Sequence, residues 1–212
     1  MPTEALKPSS RVLEIGGGIG ALQAEAILSG AGSGEVIELV GAYRPYAQRL
    51  AAELGIEGRS VFRVRDLLQA GVGAASGVVD GAAVAALEGV VDGAAVAAVD
   101  GAAVDVQPAD VVLMHRVICC SPDGLELTEV ASRLARRALV LSFPRYTVPA
   151  RAVARVQDLV FRLLGRSYRL FVRPAEAIVA RAEANGLRVV ARGHDLVWTF
   201  VALERRSVVA SE

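Results

Sequence analysis

Three acids and a run of glycines are the residues whose types and spacing can act together chemically. Glu14-Ile15-Gly16-Gly17-Gly18-Ile19-Gly20 has the form E-x-G-x-G-x-G. Glycines let a backbone turn sharply and approach a ligand closely. Alone, such a run is weakly specific, because dinucleotide enzymes use a similar one. The acids sharpen it. Glu14 stands where a pyrophosphate would be repelled, whereas a sulfonium ligand with a free ammonium group would be attracted. Glu38 stands where one carboxylate can take both hydroxyls of a ribose. Asp66 follows a further apolar run, where an adenine ring would lie. Glu38 or Asp66 taken singly reads equally well as an exposed acid at a strand end. The three in this order are much harder to explain that way.

Other candidates lie further along. His115 and Arg116 follow another apolar run. His115 suits a general base near neutral pH, or equally a residue that orients its loop by hydrogen bonds. Arg116, Arg145 and Arg173 are candidates for clamping an acceptor carboxylate bidentately. Cys119 and Cys120 are adjacent. A tetrahedral zinc site needs four ligands, and neighbouring cysteines rarely give two good ones. They read instead as two small buried residues at a helix start, and no metal is expected. His194 reads as a hairpin-turn residue.

The elements that must position these groups follow from the apolar pattern. Short apolar runs predict strands over 11–15, 35–40, 60–64, 110–114 and 138–143. Helical patterns follow over 21–28 and over 43–54, the latter with Tyr46, Leu50 and Leu54 on one face. Ser121-Pro122-Asp123 reads as the start of a helix, with Ser as N-cap and Pro in the first turn. That helix carries the stripe Leu127, Val130, Ala131 and Leu134, with Arg133, Arg136 and Arg137 near its end. Continuous apolar strands alternating with helices predict a parallel sheet covered on both faces. Val153, Val156, Leu159, Val160, Leu163 and Leu164 then repeat at helical spacing, with arginines between 151 and 166 on the opposite side. This arginine face is best read as solvated, with an anionic substrate or membrane as the sharper alternative. A helix over 174–184 precedes two strands, 187–192 and 197–204, whose short link permits only antiparallel pairing.

Between 71 and 107 lies a low-complexity insertion. The nine residues 78–86 recur at 90–98, with a partial copy at 100–104. It is read as a surface-loop expansion, since lengthening a loop costs little. Residues 1–10 are expected to form a flexible N-terminus, and 11–207 a single domain. The 212 residues carry 23 acidic and 23 basic side chains, a formal net charge of zero. That gives no general electrostatic case for nucleic acid or an anionic membrane. No run is long and charge-free enough to span a bilayer. Residues 1–10 lack the apolar core of a signal peptide, so a cytoplasmic location is expected.

The sequence resembles the class I S-adenosylmethionine-dependent methyltransferases over about residues 11–205, minus the insertion. Residues 12–20, the His115-Arg116-Val117-Ile118-Cys119-Cys120-Ser121-Pro122-Asp123 stretch and Leu141-Ser142-Phe143-Pro144-Arg145 look more narrowly like a bacterial group similar to magnesium-protoporphyrin O-methyltransferase. The resemblance implies a Rossmann-like α/β fold, with a seven-stranded, mostly parallel sheet ending in an antiparallel hairpin. It implies S-adenosylmethionine as cofactor. Glu14, Gly16, Gly17, Gly18 and Gly20 would hold its methionine part, Glu38 its ribose and Asp66 its adenine, with His115 beside the methyl group. The implied partner is a small-molecule acceptor, with oxygen favoured: a carboxylate clamped by arginine, or a hydroxyl served by His115. Two other functions stay open. One is a non-catalytic methyltransferase-like scaffold, which the repeat and the short lead before the first strand would suit. The other is a nicotinamide-dependent oxidoreductase, which Glu14 and the terminal hairpin oppose.

Overall fold

The computed structural model describes residues 6–70, 106–166 and 168–206. The repeat at 71–105 lies outside the described residues. The first half alternates as the apolar pattern dictates: β1 (Arg11–Ile15), α1 (Ala21–Leu28), β2 (Ser33–Glu38), α2 (Arg44–Glu53), β3 (Ser60–Val64) and the short α3 (Leu67–Ala70). Then come β4 (Ala109–His115), α4 (Gly124–Leu134), β5 (Ala135–Pro144), α5 (Val148–Leu163), α6 (Ala175–Glu183), β6 (Leu187–His194) and β7 (Trp198–Arg205).

The described strands form one seven-stranded sheet in the order β3-β2-β1-β4-β5-β7-β6. The first five run parallel to one another, and β7 runs antiparallel to both β5 and β6. The expected terminal hairpin is present, with β7 inserted between its partner and the rest of the sheet. Register brings Ile15 opposite Ile37 and Glu38 opposite Val64. The carboxyl ends of β1, β2 and β3 therefore finish together. Open α/β sheets bind ligands outside the carboxyl ends of their strands, where the strand order reverses, here between β1 and β4.

Alternation along β1 sends Leu13 and Ile15 into the larger core, with Val112, Leu139, Ile178 and Leu203. Each such side chain, fully buried, contributes about 1.5–3 kcal/mol. On the other face α1 and α2 close over Ala24, Ile27, Ala51 and Ile56. Among the described residues no helix is long and apolar enough to cross a membrane.

Several expectations change. Strand β2 ends at Glu38, because its carboxylate turns back to accept the N–H groups of Leu39 and Val40. The buried side of α2 is Ala47 and Ala51, with Tyr46 and Leu54 exposed and Leu50 half-buried. Two alanines let that helix approach the sheet more closely than the larger side chains would. Helix α4 starts at Gly124, after Ser121 has accepted the Asp123 N–H in a preceding turn. A Cβ at Gly124 would lie 2.5 Å from the Ile118 carbonyl oxygen, so only glycine fits there. Arg136 and Arg137 fall in β5.

Residues flanking β1 and β4 also make contacts with the fold. Lys7, Pro8 and Ser9 are exposed, whereas Ser10 is buried and its carbonyl accepts the Gly32 N–H at 3.0 Å. Val106 packs on the main core and the Gln107 carbonyl accepts a bond from Arg11, so both belong to the folded body. On α5 the apolar stripe is present, but only Ala154 is buried and the stripe faces outward.

Candidate functional site

The glycine run forms the turn from β1 into α1. Gly16 has φ +65°, and its N–H donates to the Ile37 carbonyl at 2.8 Å. A Cβ there would lie 2.3 Å from Val117 Cγ2, so the turn sits directly against the loop after β4. Gly17 backs onto the Glu14 carboxyl, and Gly20 precedes α1 against Val36. Gly18, with φ +56°, has nothing within 4 Å of where its Cβ would be. The backbone there faces open space, as close approach by a ligand requires.

Glu14 is 2% exposed. Its Oε2 accepts the Gln23 N–H at 2.8 Å, from the first turn of α1. Burial outweighs that bond and, with the charge of nearby Glu38, pushes the Glu14 carboxyl up to about 7. A carboxyl so poorly compensated attracts a cation. Glu38 is also buried, but better satisfied. Oε1 accepts the N–H groups of Leu39 and Val40, and Oε2 accepts that of Gly18 at 2.9 Å. It thus ties the glycine turn to the end of β2, and Oε2 retains a lone pair for one further donor. Asp66 is half-buried after β3, and its Oδ1 accepts the Leu68 N–H at 2.9 Å. Glu14 and Glu38 are brought together around one turn, and Asp66 stands two strands from Glu14 on the same edge.

His115 ends β4. Its Nδ1 lies 2.7 Å from the hydroxyl of Ser142, a buried residue of β5 opposite it in register. That hydroxyl also accepts the Arg116 N–H at 3.2 Å. When Nδ1 carries the proton it donates to Ser142, and the Nε2 lone pair points away as a base; in the other tautomer Nε2 is a donor. Burial, then the neighbouring Arg116 charge, lower the His115 pKa and keep the ring neutral at neutral pH.

Arg116 has φ +59°, a left-handed conformation that costs a residue with a Cβ about 1–2 kcal/mol. The turn aims its guanidinium over the Trp198 ring, 4.5 Å from the centroid. Arg145 donates through Nη1 to the Asp195 carbonyl at 3.3 Å. The Arg173 guanidinium donates to the carbonyls of Ile118, Ser121 and Pro122 at 2.6–2.8 Å. In the described structure it braces the loop after β4.

Cys119 is buried as expected, whereas Cys120 is exposed. Cys120 Sγ is 3.8 Å from Cys119 Sγ and 3.5 Å from the Tyr168 hydroxyl, and the Cys119 thiol foremost lowers its pKa. Among the described residues no cluster of three His, Cys, Asp or Glu side chains could hold a metal. His194 is exposed at the end of β6, beside the turn as expected. The groups missed by sequence reading are Ser142, Trp198 and Tyr168. Ser142 left one signal: a polar residue inside an otherwise apolar strand.

No protein-family model and no curated protein matches this sequence. Solved structures share its fold. A magnesium protoporphyrin IX methyltransferase from Synechocystis, with S-adenosylhomocysteine bound, aligns with TM-score 0.60 at 18% identity, over 94% of this chain and 75% of that one. An O-methyltransferase family protein from Burkholderia thailandensis aligns with TM-score 0.64 at 18% identity, over 94% of this chain and 52% of that one. This chain therefore spans about half that protein's length. A geranyl diphosphate C-methyltransferase from Streptomyces coelicolor A3(2) gives TM-score 0.61 at 13% identity, over 96% and 76%. The fold is the Rossmann-like one of class I methyltransferases.

Proposed function

We propose that this chain is an S-adenosylmethionine-dependent methyltransferase that acts on a small molecule through an oxygen atom. The observation that carries the reading is Glu14: a buried carboxyl with one backbone donor, beside a glycine turn open to solvent at Gly18. A dinucleotide pyrophosphate would meet negative charge there. A ligand with an ammonium and a sulfonium would supply the missing positive charge.

In this reading Glu14 holds the ammonium, and Gly16, Gly17, Gly18 and Gly20 let the backbone lie close along the methionine part. Glu38 offers the remaining lone pair of Oε2 to a ribose hydroxyl. Asp66 has one oxygen engaged with Leu68, leaving Oδ2 for an adenine donor. The cofactor supplies a methyl group on positive sulfur, already a good electrophile. The protein's contribution is then alignment and exclusion of water. For a hydroxyl acceptor, His115 takes the proton at Nε2 while Ser142 fixes the ring through Nδ1. For a carboxylate acceptor no base is needed, and Arg116 or Arg145 would pair with it in this reading. Arg173 acts one step removed, by holding the loop that carries Cys119 and Cys120.

Calorimetry against S-adenosylmethionine, S-adenosylhomocysteine and NAD tests the reading. Binding of both adenosyl ligands and not of NAD is the expected result. Preferential NAD binding would overturn it. Adenosyl binding with no turnover across hydroxyl and carboxylate acceptors would leave a binding scaffold instead.

A further inference from the structure

Helix α5 turns its apolar side away from the protein. Val153, Val156, Leu159 and Leu163 are 58–78% exposed, and their spacing places them on one continuous stripe. The turn between β6 and β7 adds to it, with Leu196 at its tip 89% exposed. The turn lies beside the start of α5, because the Arg145 N–H donates to the Val197 carbonyl at 2.8 Å. Two elements distant in sequence thus present apolar side chains together, on the edge where β5 ends and β7 begins. Contiguous exposed apolar surface of this kind marks an interaction site.

We propose that α5 and the β6–β7 turn form a docking surface for a lipid bilayer rich in anionic headgroups. Charge selects this occupant. Arg155 and Arg162 are exposed on the same helix, whereas Arg151 is half-buried, with its guanidinium 5.0 Å from the Tyr146 ring centroid. Asp158, the one acid of the helix, is drawn inward: it accepts the Leu170 N–H at 3.2 Å, pairs with Arg169, and is 19% exposed. The outward surface of α5 is therefore apolar and cationic. A helix of this character lies in the headgroup region with its apolar side down, while long arginine side chains keep their charges at phosphate level. A second copy of the same helix would offer those arginines no outward acid. The zero net charge of the chain is no obstacle, because local segregation of charge decides such contacts. The inference rests on exposure and charge, and stands or falls independently of the methyl-transfer reading.

Flotation of the full chain with vesicles tests it. One set is phosphatidylcholine alone, and the other has a quarter of the lipid replaced by phosphatidylglycerol. The protein is expected to float with the second set only, and to be released by high salt. Arg155→Glu and Arg162→Glu should each weaken binding by about fivefold or more. The double variant Leu159→Asp, Leu163→Asp, and separately Leu196→Asp, should weaken it by about tenfold. All these positions are exposed, so the thermal transition should be unchanged and loss of folding is not mistaken for loss of docking. Absence of binding to anionic vesicles overturns the proposal, as does equal binding by the variants. It is also overturned if sedimentation shows the wild type as a dimer that Leu163→Asp makes monomeric, since a second copy then covers the stripe.

Discussion

Strands β1 and β2 each bury carboxylates, and Glu35 of β2 and Glu14 of β1 are treated in opposite ways. Glu35, near the start of β2, is 6% exposed and is met by two guanidinium groups, Arg11 from β1 and Arg63 from β3. Glu14, near the end of β1, is more deeply buried and is met by one backbone N–H, with a second acid, Glu38, close by. The same sheet, a few residues apart, thus contains one balanced negative charge and one unbalanced. Burying an unpaired carboxylate costs several kcal/mol, which a chain selected for stability alone would avoid. The paired half ties three strands together, and on the proposed function the unpaired half would take its positive charge from a ligand. Perturbed acids at strand ends are therefore informative where neutralised acids in mid-strand are not.

Substitutions at the two acids should separate these roles. Glu35→Gln leaves Arg11 and Arg63 facing a neutral amide. The expected loss is about 3 kcal/mol of unfolding free energy, the lower end for a broken buried pair, because the arginine side chains stay 25% and 38% exposed. Urea unfolding measures it, and affinity for S-adenosylhomocysteine in the folded protein should not change. Glu14→Gln should do the reverse. Stability should hold or rise slightly near neutral pH, while S-adenosylmethionine binding weakens by about 1.5–3 kcal/mol, the range for a hydrogen bond to a charged group. If Glu14→Gln destabilises as much as Glu35→Gln and leaves binding intact, both acids are structural and the comparison fails.

Solution pH sharpens the same contrast. The folded protein holds the Glu14 proton up to about pH 7, against an ordinary value of 4.5. With the folded value raised, the stabilisation from that proton is full below 4.5 and is lost as pH rises through about 7. Ligand binding runs the other way, since a cation needs the carboxylate. Affinity for the adenosyl ligands should rise with pH up to about 7 and level off above it, by at most about tenfold per pH unit. Calorimetry across that range in wild type and Glu14→Gln checks it. A slope that survives the substitution would assign the titration to another group.

Much of this arrangement was legible in the sequence. The apolar run ending in glycines marks β1, its turn and α1, with Glu14 near the strand's end, because glycine punctuation and strand hydrophobicity are local signals. The pairing of Glu35 was not legible. Arg11 and Arg63 lie on different strands, and only the parallel register carries them to it. The buried face of α2 does not follow from apolar spacing, which favours large residues, whereas close packing on the sheet selects Ala47 and Ala51. The stripe on α5 was read correctly as a pattern, but periodicity does not say whether the striped face turns toward the protein or away from it. The start of α4 moved because a distant backbone oxygen, that of Ile118, leaves room only for Gly124.

The smallest expected effect concerns how the reacting edge handles a proton. Ser142 is buried, and its hydroxyl serves both His115 Nδ1 and the Arg116 N–H. Ser142→Ala removes the contact that orients the imidazole and costs about 1 kcal/mol of stability. With a hydroxyl acceptor, kcat should fall about 3- to 10-fold while KM for S-adenosylmethionine stays constant, because His115 must present Nε2 to the acceptor. The wild-type rate should also fall at low pH as His115 takes up a proton, and Ser142→Thr, which keeps the hydroxyl, should restore much of the rate. With a carboxylate acceptor there is no proton to remove, and kcat should be the same in all three proteins. The variant therefore distinguishes the two acceptor classes that Arg116 and His115 leave open, and it does so without touching Glu14.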